Sequence, residues 1–404
     1  MKYKIIPTRN KQYTLLVNDI SIYSHYEPKQ GAKNWIEKEI DLSKDAYFLI
    51  GLGIGYHIEA LLNCLNSEKK IIVYYFEDEE YRIFKKYGLV QFEGKSNLII
   101  TNTLKDIKFE ENIQILIPDV WIRAIGQMHP LFPILEVMKN TQRSYKINKD
   151  LLRENFNLNY KLGDSFYYPQ PRHEIACLVA AGPSLNETVH WLKKIEHSVD
   201  IYVCGAALNV IEKQGITPMG VFITDANDTM QKQLLYTKYV GALFYLSTAN
   251  HTAIRLHRGK RYILLQEGYL SAEKYAKANN ATLIETGGSV STTIFSYIEK
   301  QNYQAVILFG QDMGFKGEYT HAQESTSGKT VQNTEKLRKL KSNDDDYIYT
   351  NPTLYAFFYW FSEKLKNSNL KVYNTAKNGA KLINAPYINE LQLIRIVGDR
   401  GIVV

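Results

Sequence analysis

The chain has 404 residues, a formal net charge of +7, 45% hydrophobic and 23% charged residues, which predicts a globular protein of two domains. No apolar run approaches the ~20 residues that cross a bilayer, and the basic start lacks a signal-peptide core, so we expect a cytoplasmic protein without a membrane span. No zinc knuckle, recognition helix or aromatic-basic motif predicts nucleic acid binding. The cysteines Cys64, Cys177 and Cys204 lack metal-ligand spacing, which favours buried thiols in a reducing compartment.

The first part of the chain predicts a small α/β domain of Rossmann type over residues 1–140. Residues 47–62 combine a buried strand, a glycine turn and a helix. A second strand over 70–79 ends in acidic residues, and shorter strands are predicted at 97–101 and 113–117. This alternation of strands and helices is typical of a parallel sheet.

The helical spacing of apolar residues over 131–166 predicts the domain connection, which we set as a linker at 141–170. A second α/β series over 171–404 predicts a parallel sheet with helices on both faces. Polar residues 317–350 predict a mobile loop or lid, and a helix is expected over 354–366. The predicted strands of the second series are 175–181, 200–204, 220–224, 242–247, 261–265, 281–285 and 305–310.

The first candidate site is the glycine turn at Gly51, Gly53 and Gly55. With Glu77 at the end of the next strand, it resembles the nucleotide turn of methyltransferases, where an acid holds a ribose. Tyr56 departs from the dinucleotide pattern, and a glycine turn without a cofactor fits the same residues.

The second candidate is the turn Gly182, Pro183 and Ser184, where a buried strand passes into a helix. Glycine permits the turn, proline fits the first helical turn, and a helix N-terminus attracts anions. A turn without a ligand remains the alternative. Asp225 also follows a strand, where an acid binds a ribose, a metal or a polar acceptor, or simply caps a helix.

A glycine- and hydroxyl-rich turn runs from Thr286 through Gly287 and Gly288 to Ser289 and Ser291. Small residues and helix N–H groups at such a turn favour binding of a phosphate, and the missing lysine excludes a P-loop. Beyond the last strand of the series follow Asp312, Tyr319 and His321. A histidine on such a loop suits general-base chemistry near neutral pH, although a solvated histidine is the simpler interpretation.

In order and content, residues 174–322 resemble the motility accessory factor family, flagellin glycosyltransferases with a 6-hydroxymethylpterin diphosphokinase-like central domain. The segments 24–28 and 51–57 also fit that family. The central region is similar to bacterial lipooligosaccharide sialyltransferases as well. The resemblance implies a sialyltransferase-like parallel sheet with helices on both faces, beside a smaller N-terminal α/β domain.

The sialyltransferase resemblance implies a site for a CMP-sugar at the turns after the strands, with Tyr319 on the leaving phosphate. Those enzymes carry a general-base histidine before a late helix, where this chain has Tyr349 and Thr350. We therefore take His321 as the substitute base and Tyr349 as the second candidate, with Asp225 as a further catalytic candidate. The implied binding residues are Gly182, Pro183, Ser184, Gly205, Asp225, Thr286, Gly287, Gly288, Ser289, Ser291, Asp312 and Tyr319.

The implied activity is transfer of a nonulosonic acid, of sialic, legionaminic or pseudaminic type, from a CMP-activated donor to Ser/Thr hydroxyls of flagellin. This would support flagellum assembly and motility. No cofactor is firmly implied, although Asp225 leaves room for a divalent metal. One alternative is a pterin diphosphokinase-like pyrophosphoryl transferase, against which the missing Asp-x-Asp-Gly at residues 224–228 argues. A non-catalytic flagellin-binding module is the other.

Overall fold

The structure is a computed structural model that describes residues 1–88, 95–103, 112–327, 330–331 and 337–398. The chain divides into two compact units, Met1–Asn140 and Thr141–Val404. Parts of the predicted loop at 317–350, namely residues 328–329 and 332–336, lie outside the described residues. Within the described ranges, no helix is both long enough and apolar enough to cross a membrane.

The first unit holds a small antiparallel sheet and a four-stranded parallel sheet. Its strands are β1 (Tyr3–Pro7), β2 (Tyr13–Val17), β3 (Ile20–Ser21), β4 (Ala46–Ile50), β5 (Lys70–Tyr74), β6 (Leu98–Thr101) and β7 (Ile113–Leu116). Its helices are α1 (Pro28–Glu39), α2 (Tyr56–Cys64), α3 (Asp78–Tyr87), α4 (Asp119–Ile125) and the start of α5 (Phe132–Tyr160). The parallel sheet has the order β6-β5-β4-β7, and β1, β2 and β3 form the antiparallel one.

The second unit is built on a larger parallel sheet. The strands of the second unit are β8 (Ile175–Val179), β9 (Asp200–Cys204), β10 (Gly220–Ile223), β11 (Ala242–Leu246), β12 (Arg261–Gln266), β13 (Leu283–Ile284), β14 (Ala305–Phe309), β15 (Arg338–Lys341), β16 (Tyr347–Thr350) and β17 (Lys371–Asn374). Its helices are α6 (Leu185–Ile195), α7 (Leu208–Lys213), α8 (His251–Leu256), α9 (Leu270–Asn279), α10 (Val290–Lys300), α11 (Pro352–Asn367) and α12 (Glu390–Gly398), with 3-10 turns at Gly205–Ala207 and Asp228–Gln233.

The eight strands of the large sheet follow the order β13-β12-β11-β10-β9-β8-β14-β17, and every neighbouring pair is parallel. From β8 to β13 the chain steps outward in one direction, and β14 then returns to the opposite side of β8. The connections after β8 and β14 therefore diverge, which opens a crevice at the carboxyl ends of these two strands. The predicted α/β class, with parallel sheets flanked by helices, is confirmed.

The core explains why the strands of the second unit read as continuous apolar runs. Every residue of β8, β9 and β14 is buried, as expected for a parallel sheet covered on both faces. Helix α10 packs on β8, β9 and β10. Its Tyr297 contacts a stack of aromatic rings. The ring centroids of Phe222 and Phe244 are 4.7 Å apart, and those of Phe244 and Tyr262 are 5.0 Å apart. This packing fixes the strand ends that carry the candidate site.

The prediction of a loop over 317–350 is wrong for its second half, where β15 and β16 form an antiparallel hairpin. Backbone hydrogen bonds tie the hairpin to the rest of the unit, with Phe315 N donating to Tyr349 O at 2.8 Å and Tyr349 N to Phe315 O at 2.9 Å. Lys316 Nζ lies 2.9 Å from Asp344 and 3.0 Å from Asp346, which anchors the acidic turn. The basic residues Arg338, Lys339 and Lys341 all belong to β15.

Candidate functional site

A cleft of about 920 Å³ opens at the carboxyl ends of β8, β9, β10 and β14, facing the start of α10. We call it the main cleft. It is lined by residues that follow these strands, by His321, and by the start of α11. Its position is the crevice that the strand order creates, which is where open α/β sheets bind ligands.

A second cavity of about 640 Å³ adjoins the main cleft, and we call it the side cavity. Its walls come from the start of α6, from the loop 315–325, and from Thr330 and Asn378. The two cavities share four lining residues: Asp312, Phe315, His321 and Thr330.

The turn after β8 is held by a carboxyl group from the neighbouring strand end. Asp312 accepts hydrogen bonds from Ser184 N at 3.2 Å and from Ser184 Oγ at 2.8 Å, and Gly182 N donates to Gly310 O at 2.8 Å. A Cβ atom at position 182 would lie 2.1 Å from Asp312 Oδ2, so only glycine allows this close approach. Ser184 and Asp312 are therefore hydrogen-bonded to each other, and Gly182 lies directly against the Asp312 carboxyl group.

Burial raises the pKa of the Asp312 carboxyl to about 7, although the hydrogen bonds from Ser184 act in the opposite direction. Removing a carboxylate from water penalises its charged form. The Asp312 side chain is only 5% exposed. This carboxyl group thus changes charge near neutral pH at the wall between the two cavities.

The glycine-serine turn opens α10 with a capping box. Ser289 Oγ accepts from Thr292 N at 3.2 Å, and Thr292 Oγ1 accepts from Ser289 N at 3.2 Å and from Gly287 N at 3.0 Å. Gly288, Ser289 and Ser291 line the main cleft. Thr292, the third residue of α10, organises the turn. The first N–H groups of a helix have no partner within the helix and favour an anion.

Six of the predicted binding residues do not line the main cleft: Pro183, Ser184 and Tyr319 line only the side cavity, and Gly205, Thr286 and Gly287 line neither cavity. Thr286 and Gly287 come before the part of the turn that lines the main cleft. A Cβ at position 287 would lie 2.5 Å from the ring of Trp360. Because Gly205 has no side chain, it leaves space for the side chain of Gln233: a Cβ at position 205 would lie 2.1 Å from Gln233 Oε1. These glycines shape the surroundings of the cleft.

Asp225 is an exposed residue of the main cleft, directly after β10. The surrounding protein displaces water from the recess and raises the pKa of its carboxyl above the usual value. Asn250 N donates to Asp225 O at 2.9 Å, and Asn155 Nδ2 donates to Ala226 O at 3.1 Å. Both asparagines were missed by the sequence reasoning. For Asn155, the signal in the sequence is its spacing of four from Asn159 on the predicted helix, and both side chains are buried in the structure.

The three loop candidates occupy different places. His321 borders both cavities, and its Nδ1 lies 2.8 Å from Thr320 Oγ1. Tyr319 is 59% exposed and lines the side cavity. Tyr349 is an exposed residue of the β16 hairpin with Lys339 Nζ 5.9 Å from its ring centre, and it lines neither cavity.

The main cleft has buried polar atoms without partners. Among the described residues, Gln233 Oε1, Gln311 Oε1 and Thr326 Oγ1 form no hydrogen bond, and all three residues line the cleft. An unsatisfied buried group costs about 1–3 kcal/mol. Their concentration in one recess indicates a place for a polar ligand. Neither glutamine was predicted as a site residue, although Gln311 directly precedes Asp312.

The glycine turn of the first unit is occupied by a side chain of its own unit. Glu80 accepts hydrogen bonds from Leu52 N, Gly53 N and Phe76 N, each at 2.8 Å. The Glu80 carboxyl is fully buried, and its pKa is raised to about 7 by that burial. Glu77, the expected ribose ligand, lies 2.9 Å from the amino group of Met1. The structure therefore favours the alternative of a glycine turn without a cofactor.

We also compared the positions of side chains that could act as metal ligands. Across the part of the chain that the structure describes, no three His, Cys, Asp or Glu residues come together in a group that could hold a metal ion.

Fold and cleft define a Rossmann-like protein whose second unit has a crevice at the switch point of its strand order. Residues 149–318 match the family model described as 6-hydroxymethylpterin diphosphokinase MptE-like. The chain is also similar in structure to the MAf glycosyltransferase from Magnetospirillum magneticum AMB-1, with a TM-score of 0.53 and 11% identity over 99% of this chain and 74% of that one. No curated protein matches the sequence. The predicted resemblance to the motility accessory factor family with its MptE-like domain is confirmed.

Proposed function

We propose that the protein is a glycosyltransferase that binds a nucleotide-activated sugar in the main cleft. One observation carries the proposal: Gly182, Asp225, Ser289, Ser291 and Asp312 come from four separate strand ends and all line this one cleft. The unpartnered polar atoms of the cleft and the fold shared with a MAf glycosyltransferase support it.

For the donor and acceptor, we propose a CMP-activated nonulosonic acid and the Ser/Thr hydroxyls of flagellin. As the bond between the anomeric carbon and the phosphate oxygen breaks, CMP leaves with the electron pair. The N–H groups at the start of α10, next to Ser289 and Ser291, stabilise the charge that develops on the phosphate. The acceptor oxygen then bonds to the anomeric carbon of an oxocarbenium-like centre.

His321 is proposed as the group that takes the proton from the acceptor hydroxyl. It borders both cavities, which places it beside a donor in one and an acceptor in the other. An imidazole suits this role because it exchanges a proton near neutral pH. Tyr349 lines neither cavity, which leaves His321 as the better candidate of the two.

The test is transfer from CMP-activated nonulosonic acids to purified flagellin, followed by intact-protein mass spectrometry. We predict that His321→Ala lowers kcat by roughly 10²-fold or more, the usual contribution of a general base, with the CMP affinity retained. His197→Ala is the matched control, because this histidine is 92% exposed and outside both cavities.

One outcome would overturn the role of His321, and another would overturn the proposed transfer itself. Equal turnover by His321→Ala would remove this residue from the chemistry. Formation of AMP and a pterin diphosphate from ATP and 6-hydroxymethylpterin, without transfer from any CMP-sugar, would favour the second candidate function. That candidate is a pyrophosphoryl transferase, and the match of residues 149–318 to the MptE-like family is the observation that favours it.

A further inference from the structure

We propose that the side cavity is the acceptor site, and that it binds a polypeptide segment in which a lysine or arginine lies close to the modified Ser or Thr. This inference rests on the proposed glycosyl transfer and adds the site and the charge of the acceptor segment.

The first argument is the common wall of the two cavities. Transfer requires the acceptor oxygen to come within about 3–3.5 Å of the reacting carbon. A nucleotide that fills the main cleft blocks approach through that cleft. The side cavity shares this lining, which contains His321 and Asp312, with the main cleft. An acceptor chain in the side cavity therefore presents its hydroxyl to His321 while the donor stays in place.

The second argument is the charge of the side cavity. Among the described residues, its lining contains the carboxyl groups of Glu187, Glu318 and Glu324, the Asp312 carboxyl shared with the main cleft, and one lysine, Lys316. Lys316 is already bound to Asp344 and Asp346, at 2.9 Å and 3.0 Å. This excess of negative charge repels the phosphate of a nucleotide sugar and attracts a basic side chain.

The carboxylates of the side cavity differ in how they are engaged. Glu324 lies 2.5 Å from Lys213 Nζ in an ion pair. Glu187, in the first turn of α6, and Glu318, on the loop after β14, are both exposed at the cavity. These two residues are therefore the acids that we assign to the acceptor, and Glu324 serves as an internal comparison.

The third argument is the exposed ring of Tyr319. Its backbone is fixed by a bridge to Thr330, and Val331 N donates to Glu318 O at 2.9 Å. The ring nevertheless remains 59% exposed beside the carboxylates. An aromatic face next to acids is suited to the stem and the cation of a lysine or arginine. This gives Tyr319 a role in acceptor binding rather than on the leaving phosphate.

The experiment uses the full chain and three synthetic peptides that carry one serine, with lysine, glutamine or glutamate two residues away. We predict that Glu187→Gln combined with Glu318→Gln raises KM for the lysine peptide about 5- to 10-fold, as expected for two partly exposed charge pairs. KM for the glutamine peptide and the rate of CMP release without acceptor should stay unchanged. Glu324→Gln is the matched control and should have a smaller effect.

Fluorescence anisotropy of the labelled lysine peptide measures the same contact without turnover, so it tests the acceptor site even if no CMP-sugar is a donor. Weaker peptide binding by the double variant and by Tyr319→Ala supports the inference. Unchanged peptide affinity in both variants overturns it. A rise in KM for the CMP-sugar in place of the peptide also overturns it, because the side cavity would then hold the donor. Absence of all CMP-sugar turnover contradicts the proposed function separately.

Discussion

At the scale of single residues, the site depends on partners that are far apart in the chain. Ser184 and Asp312 are separated by 128 positions and form a buried hydrogen-bonded pair. The sequence predicts that both residues lie at strand ends, because each follows an apolar run. It does not predict that they meet, since local patterns say nothing about which strands are neighbours. Gln233 and Gln311 escaped notice for the same reason: their burial is a property of the folded cleft.

Asp312 leads to a prediction about pH. Because its pKa is about 7 in the folded state and about 4 in an unfolded chain, the folded protein binds a proton between these values that the unfolded chain does not. Stability contributed by the neutral carboxyl is therefore present at low pH and is lost as the pH rises from about 4 to about 7. We expect the free energy of unfolding of Asp312→Asn to fall less over this range than that of the wild type.

Urea unfolding at a series of pH values measures this difference. Asp150→Asn is the control, because Asp150 is 86% exposed at the surface of the same unit. Parallel pH profiles for the wild type and Asp312→Asn would show that the carboxyl does not titrate near neutral pH.

At the scale of secondary-structure elements, apolar runs predicted seven of the eight strands of the large sheet, whereas the edge strand β17 was missed. The predicted strands at 200–204 and 305–310 correspond closely to β9 and β14. The predicted helix at 131–166 is α5, which ends earlier, at Tyr160. The β15–β16 hairpin was missed because its exposed positions carry lysines and tyrosines, and no alternating apolar pattern marks it.

The start of α10 provides a prediction at this scale. Ser289 is the N-cap whose Oγ accepts from Thr292 N, whereas Ser291 lies inside the first turn with its hydroxyl 3.0 Å from that of Ser289. Loss of an N-cap costs about 1 kcal/mol. We therefore expect Ser289→Ala to lower the free energy of unfolding by about that amount, and Ser291→Ala to lower it less.

Denaturant unfolding of the two alanine variants measures this difference. The comparison is matched, because each substitution removes one serine hydroxyl from the same turn. Equal destabilisation would contradict the assignment of Ser289 as the cap.

At the scale of the whole molecule, the order of the strands determines where a ligand binds. The return of β14 to the far side of β8 brings the Gly182 turn next to Gly310 and Asp312. Strand–helix alternation predicted a parallel sheet, but the strand order became known only from the structure. The two glycine turns of the chain show the same limit. The turn at residues 51–55 resembles a nucleotide site in sequence, yet Glu80 occupies it within the first unit.

The most direct test of the account is a calorimetric titration of the wild type with CMP, CDP, ATP and S-adenosylmethionine. We predict that CMP binds best, at one site, and that Gly182→Ala abolishes the binding, because the new Cβ would strike Asp312 and Gly310. Gly398→Ala is the control, since a Cβ there meets no atom within 4 Å. Binding of CMP that survives in Gly182→Ala, or binding of S-adenosylmethionine alone, would contradict a nucleotide site in the main cleft.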